Sequence, residues 1–259
     1  MKVVLFCGGL GTRLRENSQT MPKPLVNIGY RPIIWHLMRY YAYHGHKDFI
    51  LCLGYRGDLV KEYFLNYSEA VSNDFTMRDG GRTIEYHNED IADWSITFVD
   101  TGLHSNIGQR LSAVKEHVAG EDAFLANYSD GLGDVPINDM IDQFHARDAV
   151  AAFAAVRTWQ SFHAAKFDDD GIVTSLGELS DRDFWINGGF FVLRQDIFEF
   201  IEAGEELVEA PFRRLIDQSK LLACPHNGYW RAMDTFKDKI SFDRAYAQGD
   251  TPWEIWRDN

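Results

Sequence analysis

The chain has 259 residues, 45% hydrophobic and 25% charged, and a formal net charge of −13 from 26 basic and 39 acidic side chains. A globular chain of this length buries a core without staples. Its acidic balance excludes broad binding to nucleic acid or to an anionic membrane, so an anionic ligand has to be met by a local basic cluster or through a metal.

The apolar run Val3 to Phe6 reads as a buried strand that ends in a glycine loop, "CGGLGTRL". Arg31 to Tyr43 reads as a helix with Pro32 in its first turn and Gly45 at its end. Strands are expected at Asp48–Leu53, Ser95–Val99, Ala123–Asn127 and Val150–Val156. Helices are expected at Gly57–Tyr67, Gly108–His117 and Ile137–Arg147. This β-α alternation predicts a mixed, mainly parallel sheet with helices on both faces. After Thr158 the character changes. "FHAAKFDDDGIVTSL" carries the Asp-Asp-Gly signal of a hairpin, "INGGFFVLR" reads as a strand, Gln195–Glu202 as a helix, and "LLACPHNGYWRAMDT" as two short strands around Asn227-Gly228. The tail "TPWEIWRDN" holds two tryptophans and is expected to pack.

Three cysteines, Cys7, Cys52 and Cys224, lie among mostly apolar neighbours without zinc-type spacing. They read as reduced, buried thiols of a cytoplasmic protein. The first apolar run is too short for a signal peptide, and no run of about 18 apolar residues would span a membrane. His44-Gly45-His46 reads as a solvated helix end rather than a metal pair.

Glycines let backbone N–H groups close around phosphate oxygens, and a loop at a strand's carboxyl end is where a parallel sheet binds ligands. Gly8, Gly9 and Gly11 fit that use. The loop matches neither the P-loop nor the dinucleotide fingerprint, which argues against a dehydrogenase. It ends in Thr12-Arg13, and Arg15 and Lys23 follow, with Lys23 fixed between Pro22 and Pro24. These cations are a local exception in an acidic chain.

"GGLGTRL" followed by "MPKPLVNIG" resembles the signature of sugar-phosphate nucleotidylyltransferases. "TFVDTG", "YSDG", "INGGFFVL", "MDTFKDK" and "PWEIW" follow in the order of the glucose-1-phosphate cytidylyltransferase branch. The resemblance covers nearly the whole chain. It implies a Rossmann-like α/β nucleotidyltransferase domain over 1–259, with 1–157 mainly nucleotide-binding and 158–259 mainly acceptor-binding. It implies CTP and a phosphorylated small molecule, most simply a sugar 1-phosphate, as substrates, and Mg²⁺ as cofactor. Arg13 and Lys23 match residues that handle the phosphates. Thr101, Gly102 and Arg110 match nucleotide-side positions, Tyr128, Glu178, Asn187 and Gly188 acceptor-side positions, and Asp130 and Asp234 the two magnesium-binding aspartates. A homo-oligomer is implied as well.

Read without the family, Asp130 serves equally as a turn former in Asp130-Gly131, and Asp234 as the N-cap of a last helix. The family's Glu-Lys-Pro reads Glu178-Leu179-Ser180 here. Leucine cannot contact an acceptor phosphate as that lysine does. Arg182 stands three residues on and is a candidate replacement. The alternatives are a non-sugar phosphate or phosphonate acceptor, or a nucleotide-binding regulatory paralogue. A glycosyltransferase of nucleotide-sugar type fits poorly, because "DDD" sits at a hairpin tip.

Overall fold

In the computed structural model the described residues are 1–9, 21–157, 163–178 and 184–257. In chain order the elements are β1 (Lys2–Phe6), β2 (Asn27–Ile28), β3 (Arg31–Pro32), α1 (Ile33–Tyr43), β4 (Asp48–Leu53), α2 (Gly57–Leu65), β5 (Phe75–Arg78), β6 (Thr83–Tyr86) and β7 (Ser95–Asp100). There follow α3 (Ile107–Ala113), β8 (Ala123–Asn127), β9 (Gly131–Gly133), α4 (Ile137–Ala146), β10 (Ala151–Val156), β11 (His163–Phe167), β12 (Val173–Glu178) and β13 (Ile186–Arg194). The last are α5 (Ala210–Asp217), β14 (Leu221–His226), β15 (Trp230–Ala232) and α6 (Phe236–Gln248).

Seven strands form the main sheet in the order β14-β10-β13-β8-β1-β4-β7. All neighbours pair parallel except β13, which runs antiparallel to both β8 and β10. Strand alternation splits the apolar side chains between two layers. Val3 and Leu5 pack with Ile33, Leu37, Phe144 and Phe242 from α1, α4 and α6 on one face. Val4 and Phe6 pack with Leu111, Phe212 and Leu215 from α3 and α5 on the other. This is the mixed, mainly parallel α/β fold expected from the sequence.

Several boundaries differ from the sequence reading. Arg31-Pro32 pairs with Asn27-Ile28 instead of starting α1, and Pro32 is extended (ψ 156°), so the helix begins at Ile33. The expected 108–117 helix breaks into α3 and a 3₁₀ turn over Lys115–His117, and 195–202 is a 3₁₀ segment ending at Glu199. The strands flanking Asn227-Gly228 do not pair with each other. β14 extends the main sheet beside β10, whereas β15 pairs with β9. His46 is buried, not solvated, and burial is the first cause that pulls its imidazole down to about 4. The expected hairpin is present as β11–β12, and the three cysteines are free and buried.

Candidate active site

The carboxyl ends of β1, β4 and β7 are tied together by one buried arginine. Arg110 stands on α3, whose start is set by a capping box in which Asn106 and Gln109 exchange backbone and side-chain bonds. The residue is 3% exposed. It donates to the Gly8 carbonyl (2.9 Å), the Leu53 carbonyl (3.1 Å) and Thr101 Oγ1 (2.7 Å). Burial is the main reason its pKa is lowered. A Cβ on Gly8 would lie 2.1 Å from this guanidinium, so glycine there makes room for the arginine below the loop. Gly102, at φ 93°, turns the chain beside Thr101 and donates its N–H to Asp100 Oδ1 at 3.0 Å. Thr101, Gly102 and Arg110 thus surround the base of the glycine loop, with the described bonds of Arg110 going to the protein itself.

The second cluster joins three distant parts of the chain. Lys23 lies in a short 3₁₀ turn anchored by buried Pro24 and Leu25. Its ammonium donates to Asp130 Oδ2 and to Asp234 Oδ1, both at 2.8 Å. The two carboxylates meet because β9 pairs with β15. Ala232 lies opposite Gly131, and the Met233 N–H continues the ladder to the Asp130 carbonyl at 2.8 Å. Asp234 is not the cap of α6. Thr235 is, in a capping box with Asp238, which leaves the Asp234 carboxylate turned to Lys23. Burial alone would lower the lysine's pKa, but the two carboxylates outweigh it and the net direction is upward.

These donors fit a magnesium ion. The gap between the carboxylates already holds one positive charge, and Mg²⁺ takes hard oxygen ligands while keeping waters or substrate phosphates. Among the described residues no group of three or more His, Cys, Asp or Glu is arranged for a metal. The remaining ligands would therefore come from substrate and water.

A nucleotidyl transferase family model matches residues 2–249. The chain belongs to the nucleotidyl transferase family. It is 40% identical over 258 residues to the glucose-1-phosphate cytidylyltransferase of Salmonella typhi, covering 99% of this chain and 100% of that protein. It is 34% identical, with the same coverage, to a Bacillus subtilis protein designated a probable glucose-1-phosphate cytidylyltransferase. Identity is 25% to the D-glycero-alpha-D-manno-heptose 1-phosphate guanylyltransferase of Campylobacter jejuni, over 93% of this chain and 98% of that protein. Among solved structures, a UDP-glucose pyrophosphorylase complexed with UDP-glucose matches with a TM-score of 0.68 at 16% identity, covering 96% of this chain and 98% of that chain. HddC from Yersinia pseudotuberculosis matches at 0.65 and 19%, covering 95% and 99%. At these identities the two structures speak for the fold alone.

Along the neighbouring ends of β8 and β13, this nucleotidyltransferase carries a further group of side chains. Asn187 Nδ2 donates to the Tyr128 hydroxyl at 3.0 Å. The Gly188 carbonyl accepts from Trp230 Nε1 at 2.8 Å, and a Cβ on Gly188 would come within 2.8 Å of Val156. Gly11, Thr12, Arg13 and Arg182 lie outside the described residues, as does Leu179. Glu178 closes β12 opposite His163. The sequence reading passed over Arg157, whose guanidinium stands 4.8 Å from the centre of the Trp185 ring. Arg157 follows and Trp185 precedes the last registered pair, Val156↔Ile186, at the end of β10–β13 that also holds Asn187. The available sequence signal was an arginine directly after an apolar strand at the ligand-binding edge.

Proposed function

We propose that this nucleotidyltransferase transfers CMP from CTP to a sugar 1-phosphate, most simply glucose 1-phosphate, with release of pyrophosphate. The observation that carries this reading is the full-length 40% identity to a glucose-1-phosphate cytidylyltransferase. The Lys23–Asp130–Asp234 cluster supports it, because it gathers a cation and two hard-oxygen donors beyond the carboxyl end of β8, beside β1 from which the glycine loop starts.

The acceptor phosphate has a second pKa near ~6 and is a dianion at neutral pH, so it needs no general base. The obstacle is the approach of two anions. Catalysis then consists of positioning and charge stabilisation. The glycine loop receives the triphosphate on its backbone, with Gly8 held from below by Arg110 and with Thr12 and Arg13 as further contacts. Lys23 meets the transferring phosphate. Asp130 and Asp234 would hold Mg²⁺, which would supply charge stabilisation to the phosphates. Tyr128, Asn187 and Gly188 face the acceptor, with Glu178 and Arg182 as further candidates. Arg157, held over the Trp185 ring, offers a planar set of donors to the acceptor's oxygens. The chain works as one unit over 1–259, with 1–157 serving mainly the nucleotide. It works in the cytoplasm and as a homo-oligomer. Self-association is supported by the β5–β6 ribbon, which leaves Phe75, Met77 and Ile84 41%, 61% and 47% exposed.

The test is pyrophosphate release with Mg²⁺, four nucleoside triphosphates and a panel of phosphorylated acceptors. Turnover with CTP and glucose 1-phosphate is expected. Turnover confined to a non-sugar phosphate or phosphonate would replace the acceptor. Nucleotide binding without turnover across a broad panel would replace the enzyme reading.

A further inference from the structure

Ser129, the residue before Asp130, sits in the left-handed region with φ 63°. A residue with a Cβ avoids this region, at a cost of about 1–2 kcal/mol, and glycine takes it freely. Ser129 is 1% exposed, so no solvent-facing role accounts for its hydroxyl. The hydroxyl donates to the Phe6 carbonyl at 2.7 Å. The Ser129 N–H donates to Asn127 Oδ1 at 3.0 Å, and Asn127 Nδ2 donates to the Tyr41 hydroxyl on α1 at 3.2 Å.

The place of the Phe6 bond matters. The registered pairs of β1 with β8 end at Leu5↔Asn127. Beyond that pair one strand continues into the glycine loop and the other into Asp130. The Ser129 hydroxyl is a rung between them past the end of the ladder. A glycine at 129 would relieve the backbone but remove the rung.

We infer that Ser129 is a positioning residue, which fixes the Asp130 carboxylate relative to the glycine loop through its bond to Phe6. This rests on the reading of Asp130 as a metal ligand. Strained backbone persists where surrounding contacts over-determine it, and here the contacts converge on a reacting centre.

The test compares Ser129→Gly, Ser129→Ala and Asp130→Asn with wild type. It reads Mn²⁺ binding by electron paramagnetic resonance in the presence of a non-hydrolysable CTP analogue, together with melting temperature and kinetics. Both Ser129 variants lose the hydroxyl, but only Ser129→Gly also loses the strain. Both are therefore expected to bind Mn²⁺ about tenfold more weakly and to show lower kcat with little change in acceptor KM. Ser129→Gly is expected to melt no lower than Ser129→Ala. Wild-type Mn²⁺ affinity and kcat in folded Ser129→Gly would overturn the inference. If Ser129→Gly does not fold, Ser129→Ala decides by the same two readings. Unchanged Mn²⁺ binding in Asp130→Asn would instead overturn the metal assignment on which the inference rests.

Discussion

At the scale of single residues, Lys23 carries two demands that one position cannot meet. Its ammonium sits between Asp130 and Asp234, where a metal would bind, yet the transferring phosphate also needs a cation. Under the proposed function, metal binding and release of Lys23 toward substrate are therefore coupled. Lys23→Met keeps most of the stem and removes the charge. It is expected to lower turnover by roughly 10²–10³, as loss of an oxyanion donor does. In nucleotide-free protein the same substitution is expected to tighten Mn²⁺ binding, because two close carboxylates lose their resident cation. Titration of free Mn²⁺ by its resonance signal measures this. Equal affinity in wild type and variant would mean that the carboxylates do not form the cation site. The neighbouring pair Asp234-Thr235 separates chemistry from folding. Thr235→Ala removes the α6 cap and should cost about 1 kcal/mol of stability, lowering the melting temperature by about 2–4 °C. Asp234→Asn should leave that temperature nearly unchanged while abolishing metal-dependent turnover. A reversed pattern would return Asp234 to the role of a cap.

At the scale of elements, the proposed function divides the work along the sheet edge. α3 delivers Arg110 under the glycine loop, and this sets a strict volume limit. Gly8→Ala places a methyl group 2.1 Å from a guanidinium that has three fixed acceptors. The expected outcome is about 1–3 kcal/mol of lost stability from overpacking, with a raised KM for CTP and an unchanged KM for the acceptor. Arg157→Ala should act at the other end, raising acceptor KM about tenfold through a lost charged hydrogen bond, with CTP KM unaffected. Initial-rate measurements with each substrate varied in turn distinguish the two variants. Equal effects of Arg157→Ala on both substrates would remove it from the acceptor side. Much of this arrangement was legible in the sequence where it depended on local pattern. The apolar runs β1, β4, β8 and β10 have strand length, and the first three run into turn residues, so their existence and alternation with helices could be read directly. The insertion of β13 between β8 and β10 could not, because strand order is decided by packing across the chain. For the same reason the pairing of β15 with β9, which brings Asp234 to Asp130, left no local trace. Asp234 and Thr235 are both good N-cap residues, and only the fold decides which one caps α6. Arg110 was expected on the nucleotide side through family likeness alone. Its burial beneath Gly8 followed from neither spacing nor charge.

At the scale of the whole molecule, the segment after α6 closes the layer opposite α3 and α5. Trp253 is 1% exposed and packs edge-on against Phe242 of α6, with ring centres 5.3 Å apart, and against Tyr229 at 5.7 Å. Phe242 also belongs to the layer built on Val3, Leu5 and α1. Trp253 therefore links the β14–β15 connection, α6 and the central sheet, far along the chain from β1. Trp253→Ala is expected to cost about 3–5 kcal/mol. At this chain length that lowers the melting temperature by about 10 °C. The next residue adds a pH dependence. Burial would raise the Glu254 carboxyl pKa. The contact with His36 (3.5 Å), Thr251 and Arg257 (3.0 Å) outweighs burial, and the net direction is downward. A carboxylate depressed in the folded state adds stability above its unfolded pKa, about 4.3 for Glu. That stability is lost as the pH falls below this value through the folded pKa. Glu254→Gln has no such group to titrate. Its stability should fall less steeply than that of wild type between neutral pH and the acid side of about 4.3, as followed by urea unfolding across pH. Parallel acid slopes for the two proteins would show that the buried Glu254 cluster does not link the tail's packing to pH.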